Sequence, residues 1–245
     1  MPAITIPGGA SAPELNAHLA VPPVGEGPWP AVVVLHESFG LTDDIRQQAD
    51  RLAAAGYLAV APSLYSAGGW RCIQATFRAL LKGEGKAIAD IEAARAWAAQ
   101  HAECTGRVGV IGFCMGGGFA LLAAGRGFDA AASNYGMLPK PLDEALRGAC
   151  PVVGSYGAKD LELRGAAAKL EAALSRNGVE HDVEEYPSAG HSFLNRHNLG
   201  PAGPLLRVVG VGYHEPSAED AWGRILRFFA THLDAPANTQ VRSAT

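Results

Sequence analysis

The 245-residue chain is poor in charge: Asp, Glu, Lys and Arg make up 18% of it, and the net charge is −4. Without a basic excess it lacks the electrostatic footprint of a nucleic-acid binder or of a protein held on anionic lipid. No apolar run approaches the ~18 residues that cross a bilayer. The start, Met1-Pro2-Ala3-Ile4-Thr5, has no charged and then apolar leader. Cysteine is scarce as well. Cys72, Cys104, Cys114 and Cys150 contain no Cys-x-x-Cys pair, which argues against a zinc site, a thioredoxin-like motif or a dense disulfide framework. A cytoplasmic globular protein is the expectation, and a reducing compartment suits a working thiol. His191 and His197 stand six apart with His214 beyond, which is not metal-ligand spacing. Gly116-Gly117-Gly118 is followed by no P-loop lysine and Ser/Thr, so neither a metal nor a cofactor is expected. There is also no Gly-x-Ser-x-Gly, so a serine nucleophile has no site.

What is present is a hydrophobic fraction of 48%, arranged in short runs. Leu15–Val21, Ala31–His36, Tyr57–Ala61, Arg107–Phe113, Ala130–Tyr135, Val152–Tyr156 and Asp182–Tyr186 read as strands. Between them lie helical patterns: one capped by Thr42 with Asp43 and Asp44 in its first turn, then Lys86–Gln100, Gly116–Ala124 and Leu163–Arg176. Residues 63–85 are the least regular, with a weak helical pattern through Ile73, Phe77 and Leu80. Ser217–Asp220 resembles a capping box that opens a last helix bearing Trp222, Ile225, Phe229 and Leu233. Such alternation implies an α/β fold, a mainly parallel sheet with helices on both faces. One domain over 1–234 and a loose tail over 235–245 are expected.

The most informative stretch is Gly112-Phe113-Cys114-Met115-Gly116, a strand running straight into a helix. A turn that sharp strains its apex residue and needs small neighbours two positions either side. Cysteine occupies the apex, at a helix N-terminus whose dipole favours a thiolate. After it come Asp160 and His191, each following a strand, in the nucleophile–acid–histidine order of α/β hydrolases. Both therefore fall at the carboxyl edge of the sheet, where ligand sites of open α/β sheets lie. A thiol needs a partner for its proton, and a histidine needs an acid to fix its tautomer. His36-Glu37-Ser38-Phe39-Gly40 follows another strand at the same edge, where the second N–H of an oxyanion hole is expected; the first is that of Met115.

His36-Glu37-x-Phe39-Gly40, Gly112-Phe113-Cys114-Met115-Gly116-Gly117 and Ala189-Gly190-His191-Ser192-Phe193 together resemble the dienelactone hydrolase family. The similarity runs along essentially the whole chain, including Asp90–Ala94 and the aromatic C-terminal helix. It implies an α/β-hydrolase fold without a large cap domain and a cysteine hydrolase of small esters, lactones or enol lactones. Cys114 would be the nucleophile, His191 the base and Asp160 its orienting acid. Glu37 matches a carboxylate that contacts the resting thiol and helps take its proton. Ser38 and Met115 would supply the oxyanion N–H groups. Family members acting on dienelactone hold its carboxylate with two arginines, but the positions in register here are Cys72 and Asn195. Arg71 and Arg196, each one place away, are the candidates to substitute. A broader carboxylesterase with the same residues, or a non-catalytic thiol-based ligand or redox sensor, remains the alternative.

Overall fold

Runs that are apolar at every residue, without polar alternation, belong to strands covered on both faces. The computed structural model, which describes residues 3–196 and 212–233, places such runs in the middle of one eight-stranded sheet. Its strands are β1 (Ala3–Pro7), β2 (Glu14–Ala20), β3 (Trp29–Leu35), β4 (Leu58–Pro62), β5 (Cys104–Phe113), β6 (Ala130–Asn134), β7 (Val152–Gly157) and β8 (His181–Tyr186). Their spatial order is β1-β2-β4-β3-β5-β6-β7-β8. The first two pairings are antiparallel and all the others parallel.

The helices are α1 (Asp43–Ala54), α2 (Gly69–Lys82), α3 (Lys86–Gln100), α4 (Met115–Ala124), α5 (Leu142–Ala145), α6 (Ala166–Arg176) and α7 (Glu215–Leu233). Successive side chains of a strand point to opposite faces, and β3 shows the consequence. Ala31, Val33 and Leu35 belong to the core cluster that also holds Ile91 of α3, Phe119 of α4 and Leu170 of α6. Val32 and Val34 belong to the cluster on the other face, with Leu52 of α1 and Trp222 and Phe229 of α7. All ten residues of α4 are buried, in keeping with a helix that is apolar all round. Among the described residues no helix is long and apolar enough to cross a membrane, and no three metal-ligating side chains gather.

Several elements differ from the sequence expectation: β5 starts earlier, at Cys104, α6 later, at Ala166, and the short α5 has no counterpart in it; three further differences have a physical reason. β1 is a five-residue, largely exposed edge strand, too short for its alternation to register. Residues 69–82 form a full helix whose start carries no side-chain cap and no acidic first turn, so the usual signals are missing. Ser217 is not a cap. α7 begins at Glu215, Ala218 N–H donates to His214 O at 2.9 Å, and the Ser217 hydroxyl lies 2.9 Å from His214 Nδ1. Pro216, well suited to a first helical turn, fits that earlier start. The expected tail over 235–245, and His197, lie outside the described residues.

Candidate active site

β5 passes into α4 through a single residue, Cys114, with φ 53° and ψ −113°. That backbone region costs an L-residue of order 1–3 kcal/mol, so the surroundings must hold it there. They do so by close approach. A Cβ on Gly112 would lie 1.9 Å from Gly116 O, and one on Gly116 would lie 2.2 Å from Leu35 O. Only glycine fits either place. The neighbouring strand adds two hydrogen bonds: Cys114 N–H donates to Asn134 O at 3.0 Å, and Asn134 Nδ2 donates to Gly112 O at 3.1 Å. Met115 opens α4, and N–H groups of a first turn have no partner within the helix. Leu35 pairs with Gly112 across the sheet, so the loop carrying Glu37 and Ser38 leaves beside the elbow.

His36 anchors that loop. Its Nδ1–H donates to Glu37 O at 2.6 Å, and its Nε2 accepts from Leu64 N–H at 2.9 Å. These two roles require the neutral ring. Complete burial lowers its pKa to about 4, against a smaller upward pull from backbone hydrogen bonding. Tyr65, next along the same connection, donates its hydroxyl to Ser38 O at 3.1 Å and approaches Met115 Sδ at 3.5 Å.

Asp160 and His191 meet, although 31 residues separate them: His191 Nδ1 lies 2.6 Å from Asp160 Oδ2. The other carboxylate oxygen accepts from Glu162 N–H at 3.1 Å and Leu163 N–H at 3.3 Å. One buried aspartate thus closes its own turn and orients the imidazole. Burial lowers the basicity of His191, but hydrogen bonding to Asp160 and Cys114 and the charges of both outweigh it, raising the pKa to about 10. An imidazolium is therefore the neutral-pH form of this ring beside the sulfur.

Glu37 is buried, and its Oε1 accepts from Ser192 Oγ at 3.0 Å. Among the described residues the non-glycine positions with positive φ are Cys114, Tyr135 (41°) and Ser192 (59°). All three lie in this region. The Tyr135 ring stands 5.3 Å from that of His191, and its hydroxyl donates to Asn195 Oδ1. Asn195 Nδ2 donates to Asp44 at the start of α1, whose other oxygen accepts from Arg196 N–H at 2.7 Å. Burial, then the charges of Glu37, Asp44 and Cys114, push the Tyr135 hydroxyl well above its ordinary pKa, so it remains a donor. Tyr135 and Tyr65 carry no motif, and Ser192 stands inside the histidine motif with no role of its own read from it. Only their place at strand ends, or one residue after the histidine, points to them.

The two arginines lie elsewhere. Arg196 stacks 4.0 Å over the Tyr213 ring and donates Nη2 to its hydroxyl at 2.7 Å. Arg71 lines a cavity of about 770 Å³ with Cys72, Arg78, Lys82 and Lys86, and none of Cys114, Asp160, His191 or Glu37 borders it. The reason is directional. In the loop after His191 the fully buried Asn195 takes the inward place while Arg196 is exposed.

The sequence profile of the dienelactone hydrolase family matches residues 15–233. A Yersinia pestis protein provisionally named a carboxymethylenebutenolidase is 33% identical, covering 93% of this chain and 89% of its own. A Salmonella typhimurium protein of the same provisional name is 32% identical, covering 89% of this chain and 83% of its own. The crystal structure of a provisionally assigned dienelactone hydrolase from Klebsiella pneumoniae subsp. pneumoniae superposes with a TM-score of 0.77 at 29% identity, covering 94% of this chain and 97% of that one. With the profile spanning nearly the whole sheet and the relatives aligned over most of their length, the chain belongs to the dienelactone hydrolase family and is a carboxylic ester hydrolase of the α/β-hydrolase fold.

Proposed function

We propose that this protein opens small lactones, enol lactones or activated esters through a cysteine nucleophile, with Cys114, His191 and Asp160 as the triad. The observation that carries the reading is the Asp160–His191 pair raised against Cys114 at the strained elbow. The Cys114 thiolate attacks the carbonyl carbon, and the carbonyl electron pair moves onto oxygen. The N–H groups of Ser38 and Met115 receive that oxyanion, and such donors contribute most when charge develops in a site shielded from water. Collapse expels the alkoxide or enolate, which takes a proton from His191. In a lactone this leaving group stays tethered to the acyl-thioester. His191, now neutral, removes a proton from water as it attacks the thioester, and the thiolate departs with the imidazolium restored.

Asp160 holds Nδ1–H throughout, so that Nε2 faces the reacting atoms. Glu37 acts as a second proton acceptor for the resting thiol. Its burial beside the elbow, its orientation by Ser192 and its electrical influence on Tyr135 in common with Cys114 support that role. Good leaving groups suit this chemistry, because a thiolate is a weaker base than the alkoxide of an unactivated ester or the anion of an amide.

Cys114→Ala tests the reading. Hydrolysis of p-nitrophenyl acetate and of an enol lactone is expected to fall by about 10⁴-fold or more, while circular dichroism and melting temperature stay as in the parent. Intact mass measured during turnover should show an acyl adduct on the parent and none on the variant. Undiminished hydrolysis by a folded Cys114→Ala protein would exclude the mechanism.

A further inference from the structure

The chain carries more acid than base, 24 Asp and Glu against 20 Lys and Arg, yet one cleft reverses that balance. In the cavity of about 770 Å³ beside α2, Arg71, Arg78, Lys82 and Lys86 face a single carboxylate, that of Glu84. The volume lies within the roughly 300–1,000 Å³ of small-molecule sites. Among the described residues none of these four cations forms an ion pair, whereas Arg51, Arg107, Arg126, Arg176 and Arg224 each do. The protein leaves this positive charge unanswered.

Three segments build the cleft. α2 supplies a column of charge: at roughly 100° and 1.5 Å per residue, Arg71, Arg78 and Lys82 fall within about 20° of one line and span about 16 Å. Arg78 and Lys82 are also an i,i+4 pair of like charge, which destabilises a helix, and a bound anion removes that repulsion. α3 contributes Lys86 at its start, where no side chain caps the first turn. The third wall is the loop between β1 and β2, held by the fully buried Asp90 of α3. Its Oδ1 accepts from Ala10 N–H at 2.6 Å and from Ser11 N–H at 3.0 Å. Ser11 borders the cavity, and its hydroxyl is buried with no partner among the described residues, a group that a ligand oxygen can satisfy. The short side chains of Ala75, Ala79 and Ala87 leave the space between these walls open.

We infer that the cleft between α2, α3 and the β1–β2 loop is a binding site for a small organic polyphosphate, separate from the site at Cys114. A column of cations is matched by negative charges repeated along a ligand, which a chain of phosphoryl groups provides and a single carboxylate does not. Guanidinium forks pair with phosphate oxygens two at a time, and lysine adds a point charge. A long nucleic acid is disfavoured by the net charge of −4 that the whole chain carries. None of Cys114, Asp160, His191 and Glu37 borders the cavity, so occupancy does not involve the nucleophile.

The experiment is isothermal titration calorimetry of the parent with ATP and with tripolyphosphate, both in EDTA, and with adenosine as the uncharged control. Both anions are expected to saturate a single site and adenosine to give no binding. Raising NaCl from about 50 to about 200 mM should weaken ATP binding by about fivefold or more, since the contacts are ionic. Arg78→Gln/Lys86→Gln, checked for an unchanged melting temperature without anion, should bind ATP about tenfold or more weakly. Cys114→Ala should bind it as the parent does. Equal affinities for the two anions support a site for the phosphoryl chain itself, and tighter binding of ATP supports a nucleotide as the ligand. The inference is overturned by the absence of saturable binding of either anion, or by unchanged affinity in Arg78→Gln/Lys86→Gln. Binding that is lost instead in Lys140→Gln/Arg147→Gln, in the neighbouring cleft of about 440 Å³, overturns it as well.

Discussion

His191 has its charge decided by two neighbours and its burial, and the balance can be read by titration. Its pKa is raised from 6.5 to about 10, so the folded state binds this proton more tightly than the unfolded chain does. The stabilisation is therefore complete below about pH 6.5 and is lost as pH rises through about 10. Urea unfolding of the parent should become easier over that interval, and the loss should be smaller in His191→Gln. Asp160→Asn removes both the acceptor of Nδ1–H and one of the two negative charges. We expect the ring of His191, followed by NMR, to release its proton at markedly lower pH in that variant. We also expect kcat to drop by roughly 10²–10⁴-fold, because the wrong tautomer then faces the sulfur. A ring that titrates as in the parent would show that Asp160 does not govern it. At this scale the sequence is legible wherever local geometry suffices: Gly112, Cys114 and Gly116 declare the elbow because no Cβ fits two places from its apex. It is not legible for Ser192 or Tyr135, whose positive φ is imposed by packing and leaves no mark on residue type.

Connections between elements depend on His36 as much as on any strand. It ties the loop after β3 to the loop after β4 through two hydrogen bonds that need an uncharged ring. Its depressed pKa gives the opposite sign from His191. The contribution is present above pH 6.5 and is lost as pH falls through about 4. The span of these values corresponds to roughly 3 kcal/mol. Acid unfolding followed by tryptophan fluorescence should accordingly begin below about pH 6, and His36→Gln should flatten the dependence between pH 6.5 and 4. An unchanged slope in the variant would place the acid sensitivity elsewhere. Elements with strong periodicity or flanking acids, such as α1 with Thr42, Asp43 and Asp44, were readable from sequence because the cap is local: Thr42 Oγ1 accepts from Ile45 N–H at 3.4 Å. α2 was not, since Gly68 precedes it, Gly69 opens it and no side chain caps it, and its stability comes from Ala79 and Leu80 packing on the core.

Across the whole molecule Trp222 links α7 to the strand that delivers the nucleophile. It is buried, lies 6.3 Å from the Phe113 ring, and carries the Arg51 guanidinium of α1 at 4.8 Å. Replacing it by alanine removes the largest side chain of that layer and should cost about 3–5 kcal/mol. Chemical denaturation is the measurement, and a change below about 1 kcal/mol would show that α7 is held independently of this contact. The kinds of elements, their rough order, the cysteine elbow and the candidate acid and histidine follow from the chain alone, because they express steric limits and periodicities acting over a few residues. Tertiary structure decided the rest. The Asp160–His191 contact and the turning of Arg196 onto Tyr213 depend on directions and distances between remote segments. Those are set by how the strands pair and which way each helix face is rotated, and a one-residue offset is enough to reverse them.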